Sequence, residues 1–316
     1  MLLFAPNHSA DFARAVAQEL GIALAPSEER EFDGGEHKMR ALEDVLGQEV
    51  FVIQSLFGEP QASANDKLCR LLFFCGSLKD AGAARVTACI PYLAYARKDR
   101  RTQPNDPVST RYVAALLEAV GVDRVVVLDV HNEAAFDNAF RHPTIRLEAM
   151  QTFADHLVPS RAEGEIVVAS PDTGGIKRAQ RFRELLAARL AREVGFAFME
   201  KRRAKGIVSG ETFVGEVASC EVLMFDDMIV SGTTLMRATA AARSAGAKRV
   251  IALAAHGVFS AAAKQLFLPS GPDAVLVTDS VPIASAFTPL IGTRLQVCSV
   301  APVFARTIAS LSASPR

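Results

Sequence analysis

Tryptophan is absent from the 316 residues and tyrosine occurs three times, so no aromatic platform for stacking nucleic-acid bases stands out. Basic and acidic residues balance at 35 each, and neither sign gathers in a block or a tail. That balance argues against nucleic acid or an anionic membrane as a partner. The five cysteines, Cys69, Cys75, Cys89, Cys220 and Cys298, are odd in number and form no CxxC pair. A disulfide framework or a zinc site is therefore not expected, and a reducing cytoplasm fits. The opening residues Met1-Leu2-Leu3-Phe4-Ala5-Pro6 lack the basic flank and apolar stretch of a signal peptide, and no apolar run reaches membrane-spanning length. Three motif families are missing as well. There is no GxxxxGK[ST], no HRD or DFG set and no GxGxxG, which excludes Walker-type enzymes and protein kinases and weakens a dinucleotide reading.

Half of the residues are hydrophobic, and the length suits about two domains. Short apolar runs alternate with amphipathic stretches. Strands are predicted at Leu2–Ala5, Val50–Gln54, Arg85–Ile90 and Arg124–Asp129, with helices ending near Leu20, Ala81 and Val120. A second series begins near Arg146–Met150, with a helix over Leu147–Val158 and strands at Glu165–Ser170, Phe196–Glu200, Glu221–Phe225, Arg249–Ala254, Ala274–Thr278 and Leu295–Ser299. Helices Ile176–Val194 and Leu235–Ala245 intervene, and a last one falls near Pro302–Leu311. Gly206–Gly215 holds few core-forming residues and reads as a mobile loop. The alternation predicts an α/β fold with mainly parallel sheets covered on both faces, and ligands at the C-terminal ends of strands. The shared rhythm of the two series suggests a divergent duplication, with domains over 1–147 and 148–316 and a last helix free to pack across them.

The polar clusters sit at those strand ends. In Val222–Leu235 an apolar run meets Asp226-Asp227, then Ser231-Gly232-Thr233-Thr234 opens a helix. Small hydroxyl residues and glycine at a helix N-terminus offer N–H and O–H donors to a phosphate, and the paired carboxylates suit vicinal hydroxyls of a sugar. A sugar phosphate satisfies both. Asp172, in Ser170-Pro171-Asp172-Thr173-Gly174-Gly175, reads either as a phosphate-approach loop or as a capped tight turn. His131, beyond Asp129-Val130, suits a metal or a phosphate, although a lone histidine is more often structural. Lys201-Arg202-Arg203 follows a strand; two cations on one side of it suit charge building up on a transferring phosphoryl group, and a solvated basic surface is the plainer reading. Arg97, Lys98, Arg100 and Arg101 form a second basic loop. Phe32-Asp33-Gly34-Gly35-Glu36 taken alone is a turn.

Together these residues resemble the ribose-phosphate diphosphokinases, or PRPP synthetases, built on the type I phosphoribosyltransferase fold. Val222–Thr234 resembles the PRPP-binding motif. Ile90–Arg100, Leu128–His131, Ser170–Gly175, Lys201–Arg203 and His256-Gly257-Val258-Phe259-Ser260 resemble the family's other segments, in the same order. The resemblance implies two similar phosphoribosyltransferase-like domains and homo-oligomers built from dimers, hexamers among them. It implies transfer of the diphosphoryl group of magnesium-ATP to ribose 5-phosphate, giving PRPP and AMP. By position, Asp226, Asp227, Ser231, Gly232, Thr233 and Thr234 would bind ribose 5-phosphate. His131 and Asp172 would serve Mg2+ on the phosphates, and Lys201 and Arg203 the transition state. Arg97, Lys98, Phe32 and Glu36 would bind ATP, the Phe32–Glu36 turn reaching in from a neighbouring subunit. Three positions depart from the family pattern: Val230 and Gly34 stand where an acid is common, and Lys98 replaces a usual glutamine. Two alternatives stay open, a phosphoribosyltransferase that consumes PRPP and a non-catalytic regulatory paralogue.

Overall fold

The computed structural model describes residues 1–160, 164–204 and 207–313, with the backbone alone at 160, 201–204 and 207–212. The chain divides into two compact units: Met1–Leu147 with the segment from Val300, and Glu148–Ser299. In the first unit, β1 (Leu2–Phe4) and α1 (Ala10–Leu20) precede a hairpin of β2 (Ser27–Glu31) and β3 (His37–Ala41). There follow β4 (Glu49–Ile53), α2 (Ala64–Asp80), β5 (Arg85–Ile90), α3 (Ser109–Ala119), β6 (Arg124–Leu128), α4 (Glu133–Asp137) and β7 (Thr144–Leu147). The sheet runs β1-β4-β5-β6-β7, every pair parallel, and the β2–β3 hairpin forms its own antiparallel pair.

Burial on both faces explains the near-continuous apolar strands. Leu68, Leu71, Leu72, Cys75 and Leu78 of α2 recur at helical spacing and pack with Val50, Val52, Val86, Ala88, Val125 and Val127. The start of α2 is a capping box: Ser63 Oγ accepts from Asp66 N at 3.2 Å, and Asp66 accepts from Ser63 N at 2.7 Å.

The second unit contains α5 (Met150–Leu157), β8 (Ile166–Ser170), α6 (Ile176–Leu190), β9 (Gly195–Ala204), β10 (Ile207–Val214) and β11 (Glu221–Ile229). It continues through α7 (Thr233–Ser244), β12 (Arg249–Gly257), β13 (Ala274–Thr278) and β14 (Leu295–Cys298). The strand order is β10-β9-β8-β11-β12-β13-β14, parallel except for β10 against β9. Leu235, Ala238 and Ala242 of α7 cover one face; on the other, Phe225 meets Phe182 at 4.7 Å and Phe153 at 5.9 Å between ring centroids. Truncating such a buried phenylalanine to alanine costs about 3–5 kcal/mol.

The two units share one plan. In each, a strand and a helix (β1, α1; β8, α6, the latter preceded by α5) lead into a strand pair (β2–β3; β9–β10), and four parallel strands then follow in sequence order beside the first. The pair stands apart in the first unit and extends the sheet in the second.

Several local expectations are corrected. The segment expected to be a mobile loop over Gly206–Gly215 is β10 across Ile207–Val214, paired with β9, while residue 206 lies outside the described residues. Ile207, Val208, Thr212, Phe213 and Val214 are strand formers, which outweighs the scarcity of core residues. The backbone of Lys201–Arg203 lies within β9 rather than beyond it. The strand expected to stop at Phe225 continues to Ile229, held by its ladder to β12 (Asp226 opposite Ala254, Met228 opposite His256). The helix expected from Leu235 starts at Thr233, and the one expected from Leu147 starts at Met150. The final helix, α8 (Ala301–Ala313), packs on α1 in the first unit, with Phe12 and Phe304 edge to face at 5.5 Å. The second unit therefore closes at Ser299 and not at the C-terminus.

Candidate active site

In the second unit β8 and β11 lie side by side, yet the chain leaves β8 for β9 on one side and continues from β11 to β12 on the other. A crevice outside the C-terminal ends of two such strands is where open α/β sheets bind ligands. The Asp172 turn and the Asp226–Thr234 segment occupy those two ends. An added Cβ at Gly175 would stand 2.7 Å from Ser170 Oγ, so a side chain there would displace the hydroxyl at the end of β8, while the Phe225 carbonyl oxygen of β11 lies at ordinary contact distance, 3.9 Å. Asp172 Oδ1 accepts from the N–H groups of Gly174 at 2.8 Å and Gly175 at 3.2 Å. The capped-turn geometry is therefore present, and Asp172 remains half-buried rather than sealed.

Asp226 and Asp227 are successive residues near the C-terminal end of β11; Asp226 is half-buried and Asp227 is 4% exposed. Asp227 N donates to Asp226 Oδ1 at 2.8 Å and Met228 N to Asp227 Oδ1 at 3.0 Å. Arg178 Nη1, from the first turn of α6, stands 3.5 Å from Asp227 Oδ1. Burial, and next the charge of Asp227, push the Asp226 carboxyl well above its ordinary range. Donors brought by a sugar would oppose that shift and favour the ionised form.

Beyond the acids, Gly232 caps α7 at φ 75°, and an added Cβ there would sit 2.6 Å from the Leu266 side chain. Glycine is required on both counts. The N-cap residue Gly232 has no side chain to cap α7 and the first turn carries no acid; Thr233 N donates to Ser231 Oγ only at the long distance of 3.4 Å, so this helix start favours an anion. Ser231 Oγ and Thr233 Oγ1 lie 3.1 Å apart beside them. The capping box of α2, at the topologically equivalent place in the first unit, is the opposite arrangement.

In the first unit, Arg97 and His131 are exposed on loops that follow the adjacent strands β5 and β6. Asn132 Nδ2 donates to Asp99 Oδ2 at 2.6 Å and so ties the two loops. Lys98 is already engaged: its Nζ lies 2.7 Å from Asp106 Oδ2, which also accepts from Thr102 N, Thr102 Oγ1 and Gln103 N. Lys98, followed by Thr102 and Gln103, holds the Asp106 carboxyl well below the usual range. Phe32 and Glu36 close the β2–β3 turn, with Phe32 N donating to Glu36 O at 2.8 Å and Phe32 itself 45% exposed. Gly34 and Gly35 have φ of 87° and 86°, a backbone that disfavours the acid expected at 34. The side chains of Lys201 and Arg203 lie outside the described residues.

Among the described residues no three His, Cys, Asp or Glu side chains gather to hold a metal. A magnesium ion carried on phosphates takes only one or two protein ligands and otherwise water. The Asp172 carboxylate, an oxygen donor at the crevice, suits such an ion; the His131 imidazole is a poorer donor for so hard a cation. No described helix is long and apolar enough to cross a membrane. Sequence reasoning missed Arg178 and Gln265, which sit around the acids and the loop; an arginine in the first turn after the Asp172 motif was the available signal for the former.

Comparison with known proteins agrees with this geometry. Residues 1–121 match the N-terminal domain of ribose phosphate pyrophosphokinase, and residues 199–309 match the phosphoribosyl synthetase-associated domain. The chain is 35% identical to a ribose-phosphate pyrophosphokinase of Haemophilus influenzae, across 98% of this chain and 95% of the relative. It is 37% identical to that of Vibrio parahaemolyticus, across 90% and 88%. The crystal structure of phosphoribosylpyrophosphate synthetase from Mycobacterium smegmatis superposes with a TM-score of 0.87 at 33% identity, covering 98% of both chains. On the strength of its full-length similarity and shared two-unit architecture, the chain belongs to the ribose-phosphate pyrophosphokinase family.

Proposed function

We propose that the chain makes PRPP and AMP from ribose 5-phosphate and magnesium-ATP. The observation that carries this is the joining, at one crevice, of two adjacent carboxylates, Asp226 half-buried and Asp227 buried, to a helix N-terminus with no acid in its first turn, led by Ser231, Gly232, Thr233 and Thr234. The first half suits sugar hydroxyls and the second a 5-phosphate. The anomeric oxygen attacks the β-phosphorus. The bond from that phosphorus to the α–β bridging oxygen breaks, AMP leaves with that oxygen, and the hydroxyl proton passes to solvent. Such transfers need alignment and charge neutralisation rather than a protein nucleophile.

Within this reading Asp226 and Asp227 hold the ribose hydroxyls and Arg178 keeps Asp227 oriented. Asp172 would hold a magnesium ion, which when present supplies charge neutralisation on the triphosphate, and His131 on the first unit is a further candidate to serve it. Lys201 and Arg203 neutralise the transferring group, and Arg97 binds the ATP phosphates. Phe32 and Glu36 contact the adenine of a neighbouring subunit in a homo-oligomer built from dimers. The protein acts in the cytoplasm. Mixing the purified chain with magnesium, ATP and ribose 5-phosphate tests the reading: AMP should appear, and its absence while ribose 5-phosphate still binds would reject it.

A second reading rests on Gly34 and on the Lys98–Asp106 ion pair, both on the nucleotide side. Under it the chain binds sugar phosphate but acts as a regulatory partner of an active synthetase. Lack of activity alone, with co-purification of an active homologue, would favour it.

A further inference from the structure

The sugar-phosphate loop is held from behind by the segment that follows β12. Ser260 donates to the Val230 carbonyl oxygen through its N–H at 2.9 Å and its hydroxyl at 3.2 Å. Gln265, in a short 3-10 helix over Ala261–Phe267, donates through Nε2 to the next carbonyl, that of Ser231, at 2.7 Å. The same nitrogen stands 3.4 Å from Thr233 Oγ1. Leu266, the residue after Gln265, is the one that Gly232 must clear.

This has a geometric consequence. Among the described residues no peptide bond is cis. In a trans peptide the C=O and the following N–H point in opposite directions across a rigid plane. Fixing the carbonyls of Val230 and Ser231 toward residues 260–265 therefore aims the N–H groups of Ser231 and Gly232 the other way, as consecutive donors on the outer side of the loop. Consecutive N–H groups turned outward make an anion-binding concavity.

We propose that Gln265 is a positioning residue for the 5-phosphate of ribose 5-phosphate. It touches no substrate; it holds the Ser231–Gly232 peptide, and the Thr233 hydroxyl beside it, in the orientation that receives the phosphate. The proposal rests on the reading of Ser231–Thr234 as the sugar-phosphate cradle. Gln265 is half-buried on the surface of a short helix, so its replacement spares the core.

The test compares the full-length wild-type protein with Gln265→Met, which keeps the length of the side chain, and Gln265→Glu, which keeps the shape but removes the donor. Ribose 5-phosphate is titrated calorimetrically, and steady-state kinetics are measured with both substrates. One net hydrogen bond corresponds to about a fivefold effect, so Gln265→Met should raise the KM for ribose 5-phosphate about fivefold. Its kcat should stay within about twofold and its KM for ATP should not change. Gln265→Glu should be weaker still, by about tenfold, because a carboxylate now faces a carbonyl oxygen and a nearby phosphate. Thermal midpoints should match the wild type. Equal binding by all three proteins would overturn the positioning role alone. So would a uniform loss in which kcat, both KM values and the thermal midpoint change together, the signature of a merely structural residue. Failure of the wild type to bind ribose 5-phosphate would overturn the cradle reading and this proposal with it.

Discussion

Arg178 Nη1 stands 3.5 Å from Asp227 Oδ1, so the helix that follows the Asp172 turn reaches back to the acid pair at the end of the neighbouring strand. Both side chains are largely buried, with 14% and 6% of their surface exposed. Removing one partner of a buried pair leaves the other charge uncompensated. Arg178→Ala should therefore raise the KM for ribose 5-phosphate by about tenfold, equivalent to about 1.4 kcal/mol. Arg178→Lys, which keeps the charge without the fork, should recover part of the loss. Unchanged sugar-phosphate kinetics in Arg178→Ala would remove Arg178 from the site.

The acid pair predicts a pH signature in stability. The Asp226 carboxyl is raised in the folded protein, chiefly by burial and next by Asp227. Between its unfolded value near 3.8 and the raised folded value, the native state binds more protons than the unfolded chain. Stability contributed by the protonated group is thus complete at low pH and is lost as pH rises through that window. Asp226→Asn removes the titration. Its thermal midpoint should be close to the wild type near pH 4 and exceed it increasingly toward pH 8, while ribose 5-phosphate binding is lost. A wild type that gains stability relative to the variant as pH rises would contradict the assignment.

Gly232 carries a backbone and a packing constraint together, at φ 75° and against Leu266. Gly232→Ala should destabilise the protein by about 1–2 kcal/mol from the backbone term, with a further loss from the contact. Leu266→Ala costs about 2–5 kcal/mol by itself as a buried truncation, and measured against that variant Gly232→Ala should lose only the backbone part. Denaturant unfolding of both single variants and the double variant separates the two; a double variant as stable as Leu266→Ala alone would show that the backbone conformation costs nothing.

Lys98 and Arg97 are neighbours with different surroundings. Lys98 is committed to Asp106, whereas Arg97 is exposed. Arg97→Ala should raise the KM for ATP by more than about tenfold, and Lys98→Ala by less than about threefold. Neither should alter ribose 5-phosphate binding. The reverse ranking in ATP kinetics would mean that the Lys98–Asp106 pair opens when the nucleotide binds.

Much of this site is legible in the sequence because its signals are local. An apolar run, adjacent acids, a Ser-Gly-Thr-Thr turn and a helix occupy fourteen consecutive residues, Val222–Leu235. The parallel strands of both units show as Val-, Ile- and Leu-rich runs for the same reason. What escaped depends on partners far along the chain. The β2 strand, Ser27-Glu28-Glu29-Arg30-Glu31, has no apolar period. Its acids are answered by Arg70 of α2, 2.9 Å from Glu29 and 2.8 Å from Glu31. Asp226 to Ile229 look like the start of a loop until β12 supplies a ladder partner. Gln265 lies 34 residues from the carbonyl it holds, and nothing in the residues around it marks the role. Gly34 reads as a missing acid in sequence and as a left-handed turn residue in structure.

The most direct measurement follows the β-phosphorus. ATP labelled there is incubated with the purified chain, magnesium and ribose 5-phosphate, and the products are separated. The label should appear in PRPP, with unlabelled AMP formed in equal amount. Label retained in ADP or released as inorganic phosphate, with no PRPP, would contradict diphosphoryl transfer at this site.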